Sequence, residues 1–347
     1  MLSVILTAAV RNRSLRTAFV ARPEEDRFHD SVIPLGGGTA IFLTIAIILL
    51  SGAAAVKFLV EPRLLGFLDE SVNIHTEGFM AKMTDLLMVT GLAFVLYIVG
   101  FIDDKKHLGP FVKLTVQFAV ALTAAFFADI RVEFFIHNTI LTSLLSAFWI
   151  VLIINAFNFL DNMDGLSAGI AVITSSVLFV AAALSGQIFI GAMALIFIGT
   201  LLGFLVFNFP PAKIFMGDCG SLVVGFFVAL LTLRTTYYHE VRQSGLYAVF
   251  MPLVVMAVPL YDFLSVTILR ISQGKSPFVG DTQHFSHRIK KRGLTETQTT
   301  LTLYLATLCT CVSAIFLYQV DLLGLGLIFA QTVMILLMIA ILEMTGK

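Results

Sequence analysis

The chain has 347 residues, of which 58% are hydrophobic and only 13% charged. Soluble domains carry roughly 25% charged residues, so this composition excludes a soluble globular protein. Basic and acidic residues balance at 22 each, giving no net field that would attract nucleic acid, and three cysteines make no disulfide framework.

The apolar stretch Met1 to Val10 lacks a small-residue cleavage site and is shorter than the ~20 residues a bilayer core needs. It is either a truncated first helix or a segment that dips into the membrane. The polar loop 11–35 follows, then an apolar run of spanning length at 36–58. The long segment 59–85 carries Pro62, Asp69, Glu70, Glu77 and Asp85 and reads as packing and solvation.

The next run, 86–102, closes on Asp103-Asp104-Lys105-Lys106. Two carboxylates at a helix C-terminus oppose the macrodipole, which favours cations there. A solvated helix end explains the lysines; a metal- or proton-handling pair explains the acids. Lys113 opens the run 111–128 and can hold a phosphate from that edge. The stretch Ile130 to Phe135 suits a strand of a small hairpin.

The run 139–155 ends in Asn155-Ala-Phe-Asn158-Phe-Leu-Asp161-Asn162-Met-Asp164-Gly165. At helical spacing Asn155, Asn158 and Asn162 share one face. Buried carboxamides without partners cost a few kcal/mol each, so the three are expected to face water or a ligand. After the runs 166–185 and 187–208 comes Pro210-Pro211, then Phe215-Met-Gly217-Asp218-Cys-Gly220-Ser221 leading into 221–238. A helix N-terminus suits phosphate, with Asp218 expected as its N-cap.

The run 246–270 contains Pro252 and Pro259, expected kinks, and Asp262, an acid about eight residues from the helix end. The polar loop 271–296 holds Asp281-Thr-Gln-His284-Phe-Ser-His287-Arg288, then Lys290-Lys291-Arg292. Ordinary basic decoration explains the lysines but not the two histidines, and zinc lacks a nearby cysteine. Runs 297–318 and 322–343 complete ten expected spans plus the partial first helix.

Placing loop 11–35 in the cytoplasm puts 16 basic residues on that side and 4 on the other, an asymmetry that orients the chain. All four polar clusters then face the cytoplasm. The expected fold is an all-α polytopic membrane protein of ten to eleven transmembrane helices. One integral membrane domain, 1–347, is expected, with a cytoplasmic-face active site. Asp and Asn oxygens suit Mg²⁺, and Lys, His and Arg suit phosphate, the set that phosphoryl transfer requires.

Five ordered motifs resemble those of the polyprenyl-phosphate N-acetylhexosamine-1-phosphate transferases. They are Arg22-Pro23 through His29 to Pro34-Leu-Gly36-Gly37; Asp103-Asp104; Asn155 to Gly165; Gly217-Asp218-x-Gly220-Ser221; and Asp281 through Arg288. Pro259, Asp262 and Arg270 fit a further block. The resemblance implies transfer of a sugar-1-phosphate from a UDP-N-acetylhexosamine to undecaprenyl phosphate in the bacterial cytoplasmic membrane. UMP is the by-product, and the step begins a cell-envelope glycan pathway.

The resemblance also implies catalytic roles for Asp103, Asp104, His284 and His287. It implies substrate contacts for Lys113, Asp161, Asp164, Phe215 and Arg288, with Phe215 stacked on uracil and Asp164 bonded to its edge. Asn158 and Asp218 would hold Mg²⁺, for which Mn²⁺ can substitute, and a homodimer is compatible with the family. The helix 246–270 would border the groove for the polyprenyl chain.

One departure stands out: the family pattern His-x-His-His has Ser286 at its middle histidine here. The loop is more similar to the N-acetylglucosamine enzymes than to the phospho-MurNAc-pentapeptide transferase, which remains an alternative within the family. A secondary transporter would place its acids near the midplane and repeat its halves; only Asp262 sits deeper here. A CDP-lipid phosphatidyltransferase needs Ala-Arg after Asp-Gly, whereas Leu-Ser-Ala follows Asp164-Gly165.

Overall fold

A computed structural model describes residues 1–21, 32–62, 64, 70–128, 130–132, 138–235, 246–277 and 283–344. The segment Arg22 to His29, residues 133–135 of the expected hairpin, and Asp281 lie outside them. Among the described residues the only sheet is Val20–Ala21 paired antiparallel with Ile33–Pro34, and Ile130 to Val132 form no strand. Everything else of regular structure is helical, as lipid demands of a backbone that must satisfy its own hydrogen bonds.

The helices, in chain order, are α1 (Leu2–Arg16), α2 (Gly37–Ala55), α3 (Glu70–Ala81), α4 (Met83–Lys106), α5 (Pro110–Phe127), α6 (Thr139–Leu160) and α7 (Leu166–Leu184). They continue as α8 (Ile188–Asn208), α9 (Asp218–Arg234), α10 (Met251–Val255), α11 (Ala257–Ser272), α12 (Phe285–Lys291), α13 (Glu296–Ile315) and α14 (Leu322–Met344). Each expected apolar run is largely helical over its described residues.

Among the described residues eight helices are each long and apolar enough to cross a membrane, and the pair Tyr247–Val255 and Ala257–Ser272, bent by 59°, makes nine if it is counted as one span. The chain is therefore a multi-pass membrane protein. The count differs from ten because α9 has only 17 described residues. The first segment is a 15-residue helix rather than a ten-residue stub. It packs against α2 and α8, and Ser3 Oγ donates to the Thr200 carbonyl at 2.6 Å.

The bend between α10 and α11 falls at Met256, between the two expected kink prolines. Pro259 has no N–H to give the carbonyl of Val255 four residues earlier, and its ring crowds that carbonyl. The helix therefore parts there and restarts at Ala257.

Helix α9 is the axis of the bundle. Every residue from Cys219 to Thr232 is buried, and α2, α4, α6, α7 and α8 surround it. A helix apolar on all sides, such as Leu222 to Leu231, has no stable place except inside such a ring. Small residues let neighbours approach it. A Cβ added at Gly38 of α2 would lie 2.1 Å from the Gly220 backbone nitrogen. Gly37 and Gly38 in turn donate their N–H groups to the carbonyls of Phe215 and Met216, both at 2.9 Å.

Gly38→Ala is expected to cost about 1–3 kcal/mol through overpacking. Gly52→Ala on the same helix, where an added Cβ meets nothing within 4 Å, should be neutral or stabilising by up to about 1 kcal/mol. Thermal unfolding of the two variants in detergent separates these outcomes; equal midpoints would contradict the close approach of α2 and α9.

Candidate active site

The site is assembled at the start of α9. Gly217 takes φ +70° just before the helix, and a Cβ there would lie 2.7 Å from Asp104 Oδ2. Gly217, not Asp218, occupies the N-cap, and it offers no side-chain oxygen to the helix. Asp104 supplies that oxygen from α4. Its Oδ1 accepts from Asp218 N at 2.7 Å and its Oδ2 from Cys219 N at 3.2 Å. The expected N-cap role of Asp218 is therefore corrected, and its carboxylate is left for other work.

Asp218 Oδ2 accepts from Lys113 Nζ at 2.9 Å, and Asp103 Oδ2 accepts from the same ammonium at 2.9 Å. The other oxygen of Asp218 accepts from Asn158 Nδ2 at 3.0 Å, while Asn158 Nδ2 also reaches Ser221 Oγ at 2.8 Å. The other oxygen of Asp103 accepts from Leu108 N at 2.6 Å. Four helices thus send one residue each to a single charge cluster: Asp103 from α4, Lys113 from α5, Asn158 from α6 and Asp218 from α9. Both acids of the Asp103-Asp104 pair belong to α4 itself, which runs on to Lys106 rather than ending at residue 102.

Asp161 caps the C-terminus of α6 beside this cluster. Desolvation first, then the negative charges of Asp218 and Asp104, raise its proton affinity well above the usual carboxylate range. Asp164 turns its Oδ2 to Ala212 N at 2.7 Å, holding the segment before Phe215. Phe215 joins this edge through its backbone, its N–H donating to the Pro34 carbonyl at 2.9 Å, and its ring is half-exposed. This is where the motif around Pro34 and Gly37 meets the one around Gly217.

The row of carboxamides behaves differently from the expectation that it faces water or ligand. Asn155 Nδ2 donates to Gln117 Oε1 at 2.6 Å and to the Val151 carbonyl at 2.8 Å. Asn162 lies beyond the end of α6, so the helical face does not extend to it. Its Oδ1 accepts from Ser286 Oγ, and its Nδ2 donates to the Phe159 carbonyl. Each amide found a protein partner, which removes the penalty that pointed to a ligand.

The histidine loop forms a second cluster on the same end of α6. His284 caps α12, and its Nδ1 lies 2.9 Å from Asp262 Oδ2. Phe159, next to Asn158, meets the His284 ring edge-on at 5.4 Å between centroids. The His287 ring lies 6.3 Å from that of His284. Burial, then the His284 ring and Lys290, push the His287 imidazole down to about 4.

Arg288 turns toward Glu343 of α14, with Nη2 2.8 Å from Oε2, and also donates to Ser265 Oγ and the Gln283 carbonyl. The structure therefore gathers Asp103, Asp104, Lys113, Asn158, Asp161 and Asp218 around one point. His284 lies against Phe159, the residue after Asn158, with His287 beside His284, while Asp164 and Arg288 bond to neighbouring protein groups. Sequence reasoning missed the partners Gln117, Ser221 and Glu343. A lone acid inside an apolar helix is the signal that could have found Glu343 as it found Asp262.

The cluster fits a hard divalent cation in one respect: two carboxylates already converge on one positive centre, the Lys113 ammonium. Asn158 adds a carboxamide, whose oxygen is a further hard donor. Among the described residues no three His, Cys, Asp or Glu side chains group tightly enough to hold a metal by themselves. Mg²⁺ commonly uses one or two carboxylates and completes its shell with water and substrate phosphates, so the donor set is compatible with it.

Residues 86–236 match the family model described as glycosyl transferase family 4. The chain is 31% identical over 353 residues to a probable undecaprenyl-phosphate N-acetylglucosaminyl 1-phosphate transferase of Bacillus subtilis, covering 99% of this chain and 89% of that one. It is 29% identical to the decaprenyl-phosphate N-acetylglucosaminephosphotransferase of Mycobacterium tuberculosis (88% of this chain, 77% of that one). With the undecaprenyl-phosphate alpha-N-acetylglucosaminyl 1-phosphate transferase of Escherichia coli K12 it shares 26% identity, covering 85% and 76%.

Asp104 and Asp103 should separate in their effects. Asp104→Asn weakens the cap of α9 and is expected to lower stability by about 1–2 kcal/mol, whereas Asp103→Asn should leave the unfolding midpoint nearly unchanged. Calorimetry in detergent would contradict this if the two variants melted together.

His287 gives a pH signature. Its folded-state affinity is depressed to about 4, against about 6.5 unfolded, so its contribution is present above pH 6.5 and is lost as pH falls toward 4. Melting midpoints should drop across that window, and His287→Gln should flatten the drop. A parallel decline in both proteins would remove His287 as its source.

Proposed function

The chain belongs to the polyprenyl-phosphate N-acetylhexosamine-1-phosphate transferases, and from that membership we propose which substrates it joins and how its residues act. It is a glycosyl-1-phosphate transferase that moves a sugar-1-phosphate to a polyprenyl phosphate. The donor is a UDP-N-acetylhexosamine, of which UDP-N-acetylglucosamine is best supported by the names of its relatives. The acceptor is undecaprenyl phosphate. The active end faces the cytoplasm, as the basic asymmetry of the loops argues.

In the reaction an oxygen of the acceptor phosphate bonds to the sugar-bound phosphorus of the donor. The bridging P–O bond to the uridine-bearing phosphate breaks, and UMP leaves. Charge develops on oxygens throughout, so catalysis is chiefly positioning and neutralisation. The carrying observation is the shared Lys113 ammonium, 2.9 Å from carboxylates of two helices.

Lys113 can exchange these carboxylates for phosphate oxygens as substrate enters. Asp103 is then the acid freed to take a proton from the acceptor phosphate, because Asp104 keeps both oxygens on backbone N–H groups. Asp218 and Asn158 would hold Mg²⁺, which when bound neutralises the diphosphate and the departing UMP. Phe215, half-exposed beside the start of α9, would stack on the uracil, and His284 would contact the substrate phosphates. The lipid tail lies in the bilayer, alongside the bent α10–α11 span.

Purified protein in detergent with Mg²⁺, undecaprenyl phosphate and a panel of UDP-sugars should release UMP with UDP-N-acetylglucosamine. Asp218→Asn is expected to lower that rate about a hundredfold or more while the variant still folds. Near-normal turnover in it would defeat the role given to Asp218.

A further inference from the structure

Asp262 is fully buried, at 0% exposure, in the second turn of α11. Enclosing a carboxylate costs several kcal/mol unless both oxygens find strong partners. Here both are spent on one junction. Oδ2 lies 2.9 Å from His284 Nδ1 and Oδ1 accepts from Phe285 N at 3.0 Å. The same helix braces the imidazole a second way. Arg270, two turns along, sets its guanidinium 5.0 Å from the centre of the Phe159 ring, whose edge meets His284.

An ionised carboxylate only accepts. A neutral imidazole facing it must therefore carry its proton on Nδ1, and the hydrogen bond made by one ring nitrogen fixes what the other can do. We propose that Asp262 is a positioning residue for the transfer reaction: it locks His284 in the Nδ1–H tautomer and in one orientation, leaving Nε2 unprotonated as the acceptor for a phosphate O–H or a bound water at the substrate phosphates. This rests on the transferase reading above and adds to it the residue that orients the histidine.

A purely structural role is the competing explanation, since Asp262 also caps the short helix α12. Asp262→Asn separates the two. The amide oxygen still accepts from Phe285 N, so the cap survives, but the amide nitrogen now donates to Nδ1 and drives the imidazole proton to Nε2.

The test uses full-length protein in nanodiscs, with ¹⁵N-labelled histidine and the His284 signals identified by their loss in His284→Gln. In the unmodified protein Nδ1 is expected to carry the proton. In Asp262→Asn the tautomer is expected to reverse, with kcat for UMP release falling at least about tenfold, KM for the UDP-sugar changing far less, and the unfolding midpoint held.

An Nε2–H tautomer in the unmodified protein overturns the proposal, and this readout needs no variant to fold. A reversed tautomer with kcat within about twofold of normal overturns it equally. Failure of the unmodified protein to release UMP from any UDP-sugar would refute the transferase reading and the catalytic half of this inference, while the tautomer result would still stand.

Discussion

The structure depends on one arrangement of charge at the end of a buried helix. Helix α9 has no polar face, so its free N–H groups and their partial positive charge would be left unsatisfied inside the bundle. Asp104 answers them from a neighbouring helix, which frees Asp218 to pair with Lys113, which in turn balances Asp103. Remove the cap and the next two pairings lose their geometry. Three acids and one lysine close together leave an excess of formal negative charge, which a bound proton or a cation can relieve.

Much of this was legible in the sequence, for identifiable reasons. Hydrophobic run length located the eight helices long enough to span and the bent pair α10–α11, because the bilayer imposes a minimum on apolar length. The polar interruptions located the cluster, because Asp103, Asn158 and Asp218 are costly at such positions and so stand out. Even the fracture near Met256 was announced by prolines, though its place was set by the carbonyl of Val255 rather than by either ring alone.

What could not be read was pairing across long separations. That Asn155 turns to Gln117, or that Gly38 touches Gly220, depends on how helices pack, and periodicity within one helix carries no such information. The same limit explains the capping of α9. A sequence shows Asp218 at the expected position and cannot show that Asp104, 114 residues earlier, reaches its backbone first. Ser286 belongs here too: judged by the family pattern it is a missing histidine, whereas in the fold its hydroxyl joins α12 to Asn162.

The end of α6 and the residues just after it have a consequence for how such an enzyme can change. Asn158 grips the acid cluster, Phe159 braces the imidazole and Asn162 holds the helix behind it, all within one short stretch of chain. The metal and phosphate contacts proposed for Asn158 and His284 would therefore be yoked to one rigid shaft, and a shift of that shaft would disturb both alike. Variation in which sugar is accepted would then accumulate away from it, on neighbouring loops, where a substitution can change one contact without throwing the others out of line.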